Sequence, residues 1–284
     1  MKNILVIPNT LKDADLLVTS RVIDKLTEFG MTALVSADFS GRFQGKIEYF
    51  TSLPSSAELV LVIGGDGSVI DASRIAIELD IPLLGVNLGN LGYLSEVEID
   101  ALDTLKKLLD GDYIVDEKML LEASINKSGE VIIAQRLAVN DIIVSHSEYL
   151  GIADICLENS TNEAVRYRAD AVILATPAGS TAYALSSGGP IISHNLDSIT
   201  ATPVSPHSFF NRSIVYSANE TIKVSNVGNN IIKVNIDGRF FDSLGNGDFC
   251  VVRKSEKRFK MLTFSENNMF TTLFNKLKIL SNIE

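Results

Sequence analysis

The stretch Leu59–Ser73, LVLVIGGDGSVIDAS, limits this chain more than any other. The apolar run Leu59 to Ile63 stops at Gly64-Gly65-Asp66-Gly67-Ser68, and a helix-like pattern begins at Val69. This predicts a buried strand, a glycine turn holding one carboxylate, and a helix N-terminus. Such a turn offers backbone N–H groups and the positive end of a helix dipole, both suited to a phosphate. Asp66 itself repels phosphate. An acid placed there holds a metal, takes a proton or caps the helix.

The flanking chain alternates strand and helix. Asn3–Ile7 is a short apolar run stopped by Pro8. Asp13 to Phe29 carries Ala14, Leu17, Val18, Val22, Leu26 and Phe29 at helical spacing, and Gly30 supplies a left-handed stop. Met31–Ser36 reads as a second strand, Asp38–Gly45 as a loop, Leu83–Val86 as another strand, and Asp100–Leu109 as a short helix between an Asp100 cap and a Gly111 stop. Alternation of this kind predicts a mostly parallel, Rossmann-like α/β domain over residues 1–105, with ligands beyond the carboxyl ends of its strands. From about Tyr113 to Phe264 short β-rich runs dominate, with hairpin signals at Asn126-Lys127-Ser128-Gly129 and Asp237-Gly238. They predict a β-sandwich-like domain over 106–265. Asn268–Leu280 is helical in pattern, with Phe270, Leu273, Phe274, Leu277 and Leu280 on one stripe. This last helix, within 266–284, is expected to pack back on the first domain.

With 284 residues, two domains are the natural count. A formal net charge of −10 argues against general nucleic-acid binding, which needs a basic face, but leaves room for a small phosphorylated ligand. Cys156 and Cys250 form no Cys-x-x-Cys pair, so neither zinc nor redox chemistry is expected. The three histidines, His146, His194 and His207, lack metal-ligand spacing. Neither a signal peptide nor an apolar run of about 20 residues is apparent, which points to a cytoplasmic protein without a membrane partner.

A second glycine-rich stretch follows the apolar run Ala171–Ala175: Thr176-Pro177-Ala178-Gly179-Ser180-Thr181-Ala182-Tyr183-Ala184-Leu185-Ser186-Ser187-Gly188-Gly189-Pro190. Gly179-Ser180-Thr181 offers N–H groups and hydroxyls to a polar ligand, Tyr183 an aromatic face to a base, and Gly188-Gly189 room for close backbone approach. Two such stretches in one chain are harder to read as unrelated turns than either alone.

Taken together these stretches resemble the bacterial NAD kinases. The resemblance rests on Gly64-Gly65-Asp66-Gly67-Ser68, Asn87-Leu88-Gly89-Asn90-Leu91-Gly92-Tyr93-Leu94, Asn140-Asp141, the Arg168–Pro190 run and Thr202-Pro203-Val204-Ser205-Pro206-His207 with Arg212. The Gly-Ser-Thr-Ala-Tyr…Gly-Gly-Pro element is the most specific of them. The resemblance implies transfer of the ATP γ-phosphoryl group, or that of inorganic polyphosphate, to the 2′-hydroxyl of NAD's adenosine ribose. It implies Asp66 as general base and Gly67 in ligand approach. It also implies NAD contacts from Asn140, Asp141, Arg168, Asp170, Thr181, Ala182, Tyr183 and Ser186, with a divalent cation, Mg²⁺, to offset the ATP charge. A homodimer or homotetramer whose sites borrow residues from a neighbour follows in the same way.

Three positions depart from the family pattern. Ser68 stands where Thr is commoner, Asp141 where Glu is frequent, and Ala171 where Gly is usual. A fourth, Arg239, stands after Asp237-Gly238 where many members carry Gln; it either faces the ligand's phosphates or projects from a hairpin. The glycine-aspartate motif also occurs in lipid kinases and 6-phosphofructokinases, so a lipid or sugar-phosphate kinase is the first alternative. A dinucleotide sensor that needs no base is the second. A Rossmann dehydrogenase is weaker, because no Gly-x-Gly-x-x-Gly follows the first strand.

Overall fold

The computed structural model describes residues 1–89, 94–127, 130–147, 151–265 and residue 273. The chain divides into two compact units, residues 1–117 with 259–284, and residues 118–258. The Asn90–Tyr93 part of the expected loop, Ser128-Gly129 of the expected hairpin turn, and the expected C-terminal helix lie outside the described residues.

The first unit is built on parallel strands β1 (Asn3–Pro8), β2 (Thr32–Ser36), β3 (Ile47–Phe50), β4 (Leu59–Gly64), β5 (Leu83–Asn87) and β6 (Val97–Glu98). Their order is β3-β2-β1-β4-β5-β6. The central strands β4 and β5 are buried throughout, as a strand covered on both faces must be. On one face Val22, Ile23 and Leu26 of helix α1 (Leu17–Glu28) share a core with Ile4, Val6, Leu61, Ile63, Leu84 and Val86. Leu102, Leu105 and Leu108, from the turn Ile99–Lys106 and helix α3 (Lys107–Asp110), join the same core. Helix α2 (Asp66–Leu79) buries Val69, Ala72, Ser73, Ala76 and Ile77.

Several boundaries differ from the sequence reading for identifiable reasons. Helix α1 begins four residues later than the periodicity suggests, because Leu16 is left-handed at φ 58°. Asp13 acts from outside the helix: its carboxylate accepts the N–H groups of Val18 and Thr19 and the Thr19 hydroxyl at 3.1, 2.8 and 2.6 Å. Asp100 is not a cap. It lies inside the 3₁₀ turn Ile99–Lys106, which is kinked at Ala101 and leads into α3, stopped by Gly111 at φ 73° as expected. Strand β3 was not apparent in the sequence; its IEYF is only half-buried and lacks a clear apolar signal.

The second unit holds two antiparallel sheets. One has the order β14-β13-β12-β9-β16-β17, from β9 (Asp141–His146), β12 (Ala171–Ala175), β13 (Ser198–Val204), β14 (Ile214–Ser217), β16 (Ile232–Ile236) and β17 (Arg239–Leu244). The other contains β10 (Ala153–Glu158), β11 (Ala164–Ala169) and β15 (Ile222–Asn226), with the second-unit parts of β7 (Ile114–Lys127), β8 (Glu130–Ala138) and β18 (Phe249–Thr263). Ile142, Val144, Val172, Leu174 and Val234 from the first sheet meet Leu121, Ala123, Ile155, Leu157, Val224 and Val252 from the second in one core. This is a sandwich, as the alternating patterns require. The outer face of β12 is covered by Ala184 of the short helix α4 (Tyr183–Ser186) against Ile173 and Ala175. The fold is therefore the expected α/β unit plus β-sandwich. Among the described residues no helix is long and apolar enough to cross a membrane.

Candidate functional site

Asp66 and Gly67 belong to the first unit; the remaining candidates belong to the second. Helix α2 starts at Asp66, not at Val69, because Gly65 is the extended flanking residue and Asp66-Gly67-Ser68 already form the first turn. The residue flanking this end is Gly65, which has no side chain to cap it, and Asp66 is the first residue of the helix itself. One oxygen of the Asp66 carboxylate accepts the Leu94 N–H at 3.0 Å. Asp66 is half-buried and Gly67 is exposed with open space where a side chain would project. The turn is tight for a local reason: a Cβ on Gly64 would collide with the Ser68 side chain. The Ser68 hydroxyl in turn receives Asn9 Nδ2 at 2.7 Å.

Asn9 and Lys12 were missed in the sequence. Asn9 follows β1, whose last residue Pro8 lies beside Ile63 of β4, so the two strands deliver their loops to one edge. Asn9 Oδ1 accepts the N–H groups of Leu11 and Lys12, folding the loop back. The Lys12 ammonium lies 3.3 Å from where a Gly65 Cβ would stand. The signal that could have found both is the rule that adjacent parallel strands present ligand-contacting loops at their carboxyl ends. At the same edge Asn87, the last residue of β5, is buried and its side-chain amide donates to the Gly89 carbonyl and to Glu98 at 2.8 and 3.1 Å.

In the second unit three segments converge at one end of the sheet. Asp141 opens β9 opposite Ala175, the last residue of β12, and Ile142 stands opposite Ile236, the last of β16. Asn140-Asp141, the turn after β12 and the Asp237-Gly238 turn after β16 are thereby brought together. The approach is close enough that a Cβ on Gly179 would strike the Asn140 carbonyl. Asp237 and Gly238 have φ of 47° and 75° in a two-residue hairpin turn, as their sequence predicts. The Asp237 carboxylate reaches back to accept the N–H groups of Val139, Asn140 and Asp141 at 2.8, 2.8 and 3.1 Å. Asp141 is 5% exposed. Burial, and secondarily the Asp237 charge, push its carboxyl up to about 7. Near neutrality it can therefore donate or accept a proton-bearing hydrogen bond.

The glycine-rich run after β12 divides its residues. The Ser180 hydroxyl is fully buried; it donates to the Pro177 carbonyl at 2.7 Å and accepts the Ile192 N–H at 3.0 Å. The Gly179 N–H is held by Thr176 Oγ1, and the Thr181 hydroxyl donates to the Ala178 carbonyl. These hydrogen bonds hold the turn in shape. What the turn presents outward is Tyr183, 45% exposed, and Ser186, with Thr181 and Ala182 half-buried. Gly189 serves packing: a Cβ there would stand 2.7 Å from Thr202 Oγ1 and 2.8 Å from the Ala184 carbonyl.

Arg168 and Asp170 are not with this group. Asp170 precedes β12 at the opposite end, where its carbonyl accepts the His146 N–H. The strand between spans roughly 13 Å. Arg168 is exposed and stands 4.0 Å from Asp154 on the neighbouring strand, a loose surface pair. Arg239 opens β17 beside Ile236, at the same end as Asp141, and is exposed.

Comparison with known proteins follows the same division. Residues 4–113 match the family model described as the ATP-NAD kinase N-terminal domain, and residues 138–264 match its C-terminal domain. An NAD kinase of Thermoanaerobacter pseudethanolicus is 34% identical over 282 residues, covering 98% of this chain and 99% of that protein. An NAD kinase of Geobacter sulfurreducens is 35% identical over 264 residues, 92% of this chain and 93% of that protein. The crystal structure of an NAD kinase from Archaeoglobus fulgidus in complex with ATP superposes with a TM-score of 0.71 at 25% identity, covering 97% of this chain and 98% of that one. That of yeast NADH kinase complexed with NADH gives 0.86 at 21% identity, covering 100% and 89%, a likeness of fold.

Proposed function

This chain belongs to the NAD kinase family, and from that premise we propose that it transfers the γ-phosphoryl group of ATP to the 2′-hydroxyl of the adenosine ribose of NAD, giving NADP. The observation that carries the mechanism is Asp66, at the first turn of α2, directly after a glycine turn and tethered through one oxygen to the Leu94 N–H. A secondary alcohol is a weak nucleophile. Asp66 accepts its proton as the oxygen attacks the γ-phosphorus and the bond to the β–γ bridging oxygen breaks, leaving ADP. The Gly67 N–H and the α2 dipole face the ATP phosphates, with Lys12 adding positive charge at the same turn.

Asn140 and Asp141 grip the ribose hydroxyls. Thr181, Ala182, Tyr183 and Ser186 cradle the dinucleotide, and Arg239 faces its phosphates. Arg168 and Asp170, at the far end of β12 from Asp141, reach the site of a neighbouring copy, which makes the active form a cytoplasmic homo-oligomer. Among the described residues no three His, Cys, Asp or Glu side chains gather as metal ligands. A divalent cation such as Mg²⁺, if bound with ATP, would offset the phosphate charge and would be held largely by phosphate oxygens and water.

Asp66→Asn tests the assignment. NADP formation should fall by about 10³-fold while NAD affinity, measured by calorimetry, changes less than about threefold. Turnover within about tenfold of the wild type would remove Asp66 from the role of base.

A further inference from the structure

Asp237 is the first residue of a two-residue hairpin turn. That role does not require an acid: Asn-Gly serves a two-residue turn with both central residues at positive φ as well as Asp-Gly does. The structure gives a different reason for the carboxylate. Between β8 and β9 the chain turns a corner at Val139-Asn140-Asp141, where Val139 and Asp141 are 2% and 5% exposed. Buried backbone groups at such a corner need partners. Two residues supply all six of them. Asp237 accepts the three successive N–H groups, and its own N–H donates to the Asp141 carbonyl at 3.0 Å. The Thr176 hydroxyl donates to the Val139 carbonyl at 2.7 Å, and the Thr176 N–H donates to the Asn140 carbonyl at 2.9 Å. An acceptor-only group with two oxygens fits three converging N–H donors; an amide, with one oxygen and one donor, does not.

We propose that Asp237, assisted by Thr176, is a positioning residue for the dinucleotide: it fixes the Val139–Asp141 corner so that Asn140 and Asp141 are presented to NAD in one orientation. This rests on the reading of Asn140-Asp141 as an NAD contact. Asp237 acts through the backbone of those residues and not by touching the ligand.

The discriminating variant is Asp237→Asn, which keeps the turn and nearly the volume but replaces one acceptor by a donor. The expected result is a KM for NAD at least about tenfold higher, with the KM for ATP within about twofold and kcat within about threefold. Thr176→Val should move the NAD KM the same way, and Thr176→Ser, which keeps the hydroxyl, should restore it. An NAD KM within about twofold of wild type in Asp237→Asn overturns the proposal. So does a rise in which the ATP KM follows in proportion, because that marks general loss of structure. If Asp237→Asn does not melt cooperatively, the Thr176 pair decides: equal NAD KM for Val and Ser refutes the clamp. Wild-type protein that forms no NADP refutes the parent reading instead, and the two failures are thereby distinct.

Discussion

Replacing Asp141 by Asn should stabilise the ligand-free protein at alkaline pH and leave it nearly unchanged in acid. The carboxyl is pushed from 3.8 to about 7, first by burial and then by the facing Asp237 charge. The folded state therefore holds a proton that the unfolded chain has released between those two values. Stability contributed by that proton is complete below about pH 4, is lost as pH rises toward 7, and stays lost above it. Each pH unit across the window costs about 1.4 kcal/mol. The cost is roughly 1–2 kcal/mol at pH 5 and about 4 kcal/mol at pH 8. Asn cannot ionise, so the difference between variant and wild type should grow by about 3 kcal/mol from pH 5 to pH 8. At about 2 °C per kcal/mol for a chain of this size, the difference in thermal midpoint should widen by about 6 °C. Circular dichroism melts of both proteins at pH 5, 6, 7 and 8 measure it, and other titrating groups cancel in the difference. A midpoint difference that stays within about 1 °C across that range would refute the argument. The same substitution should weaken NAD binding, measured by calorimetry.

Asp13→Ala removes three hydrogen bonds at the start of α1 and should cost about 2 kcal/mol, read as a fall of about 4 °C in the thermal midpoint; an unchanged midpoint would deny Asp13 the capping role. Gly179→Ala drives a methyl into the Asn140 carbonyl and should lower stability by about 2 kcal/mol and raise the NAD KM, checked by melting and initial-rate kinetics. Mixing refolded Asp141→Ala and Asp170→Ala proteins, each inactive, should restore about a quarter of wild-type activity if each site takes Asp141 from one copy and Asp170 from its neighbour. A mixture as inactive as its components would place both residues in one chain's site.

The sequence made the strand-turn-helix at Leu59–Leu79 legible because its cues are local: an apolar run, glycines and a periodic tail. Even there the helix start moved back to Asp66, since a pattern of apolar positions cannot see a polar first turn. The start of α1 moved the other way, because a single left-handed Leu16 overrides a periodicity that runs through it. Strand β3 was invisible because a half-buried edge strand carries little pattern. The candidate residues were found by resemblance, not by spacing, and the structure sorts them in ways no local rule could. Ser180 is bonded to Ile192, Asp237 to Val139–Asp141, and Asp170 stands a strand's length from Asp141. Each of those relations joins positions far apart in the chain, which is why composition and motif alone gave the residues but not their partners.

The route of the chain between the two units has a consequence for how the protein is made. The second unit is one continuous segment, 118–258, interrupting the first. Met261, near the end of β18, pairs with Leu83 of β5, about 180 residues earlier. During synthesis the β-sandwich can therefore close as soon as its last strand emerges, while the parallel sheet that began first gains its β18 neighbour only from residues beyond 258. The usual N-terminal-first order is inverted. A ribosome-bound chain stopped near residue 258, with a linker to clear the exit tunnel, should show a protease-resistant sandwich and an α/β unit still open to cleavage. This long-range closure falls on the unit that carries Asp66, so that unit is among the last features to be secured.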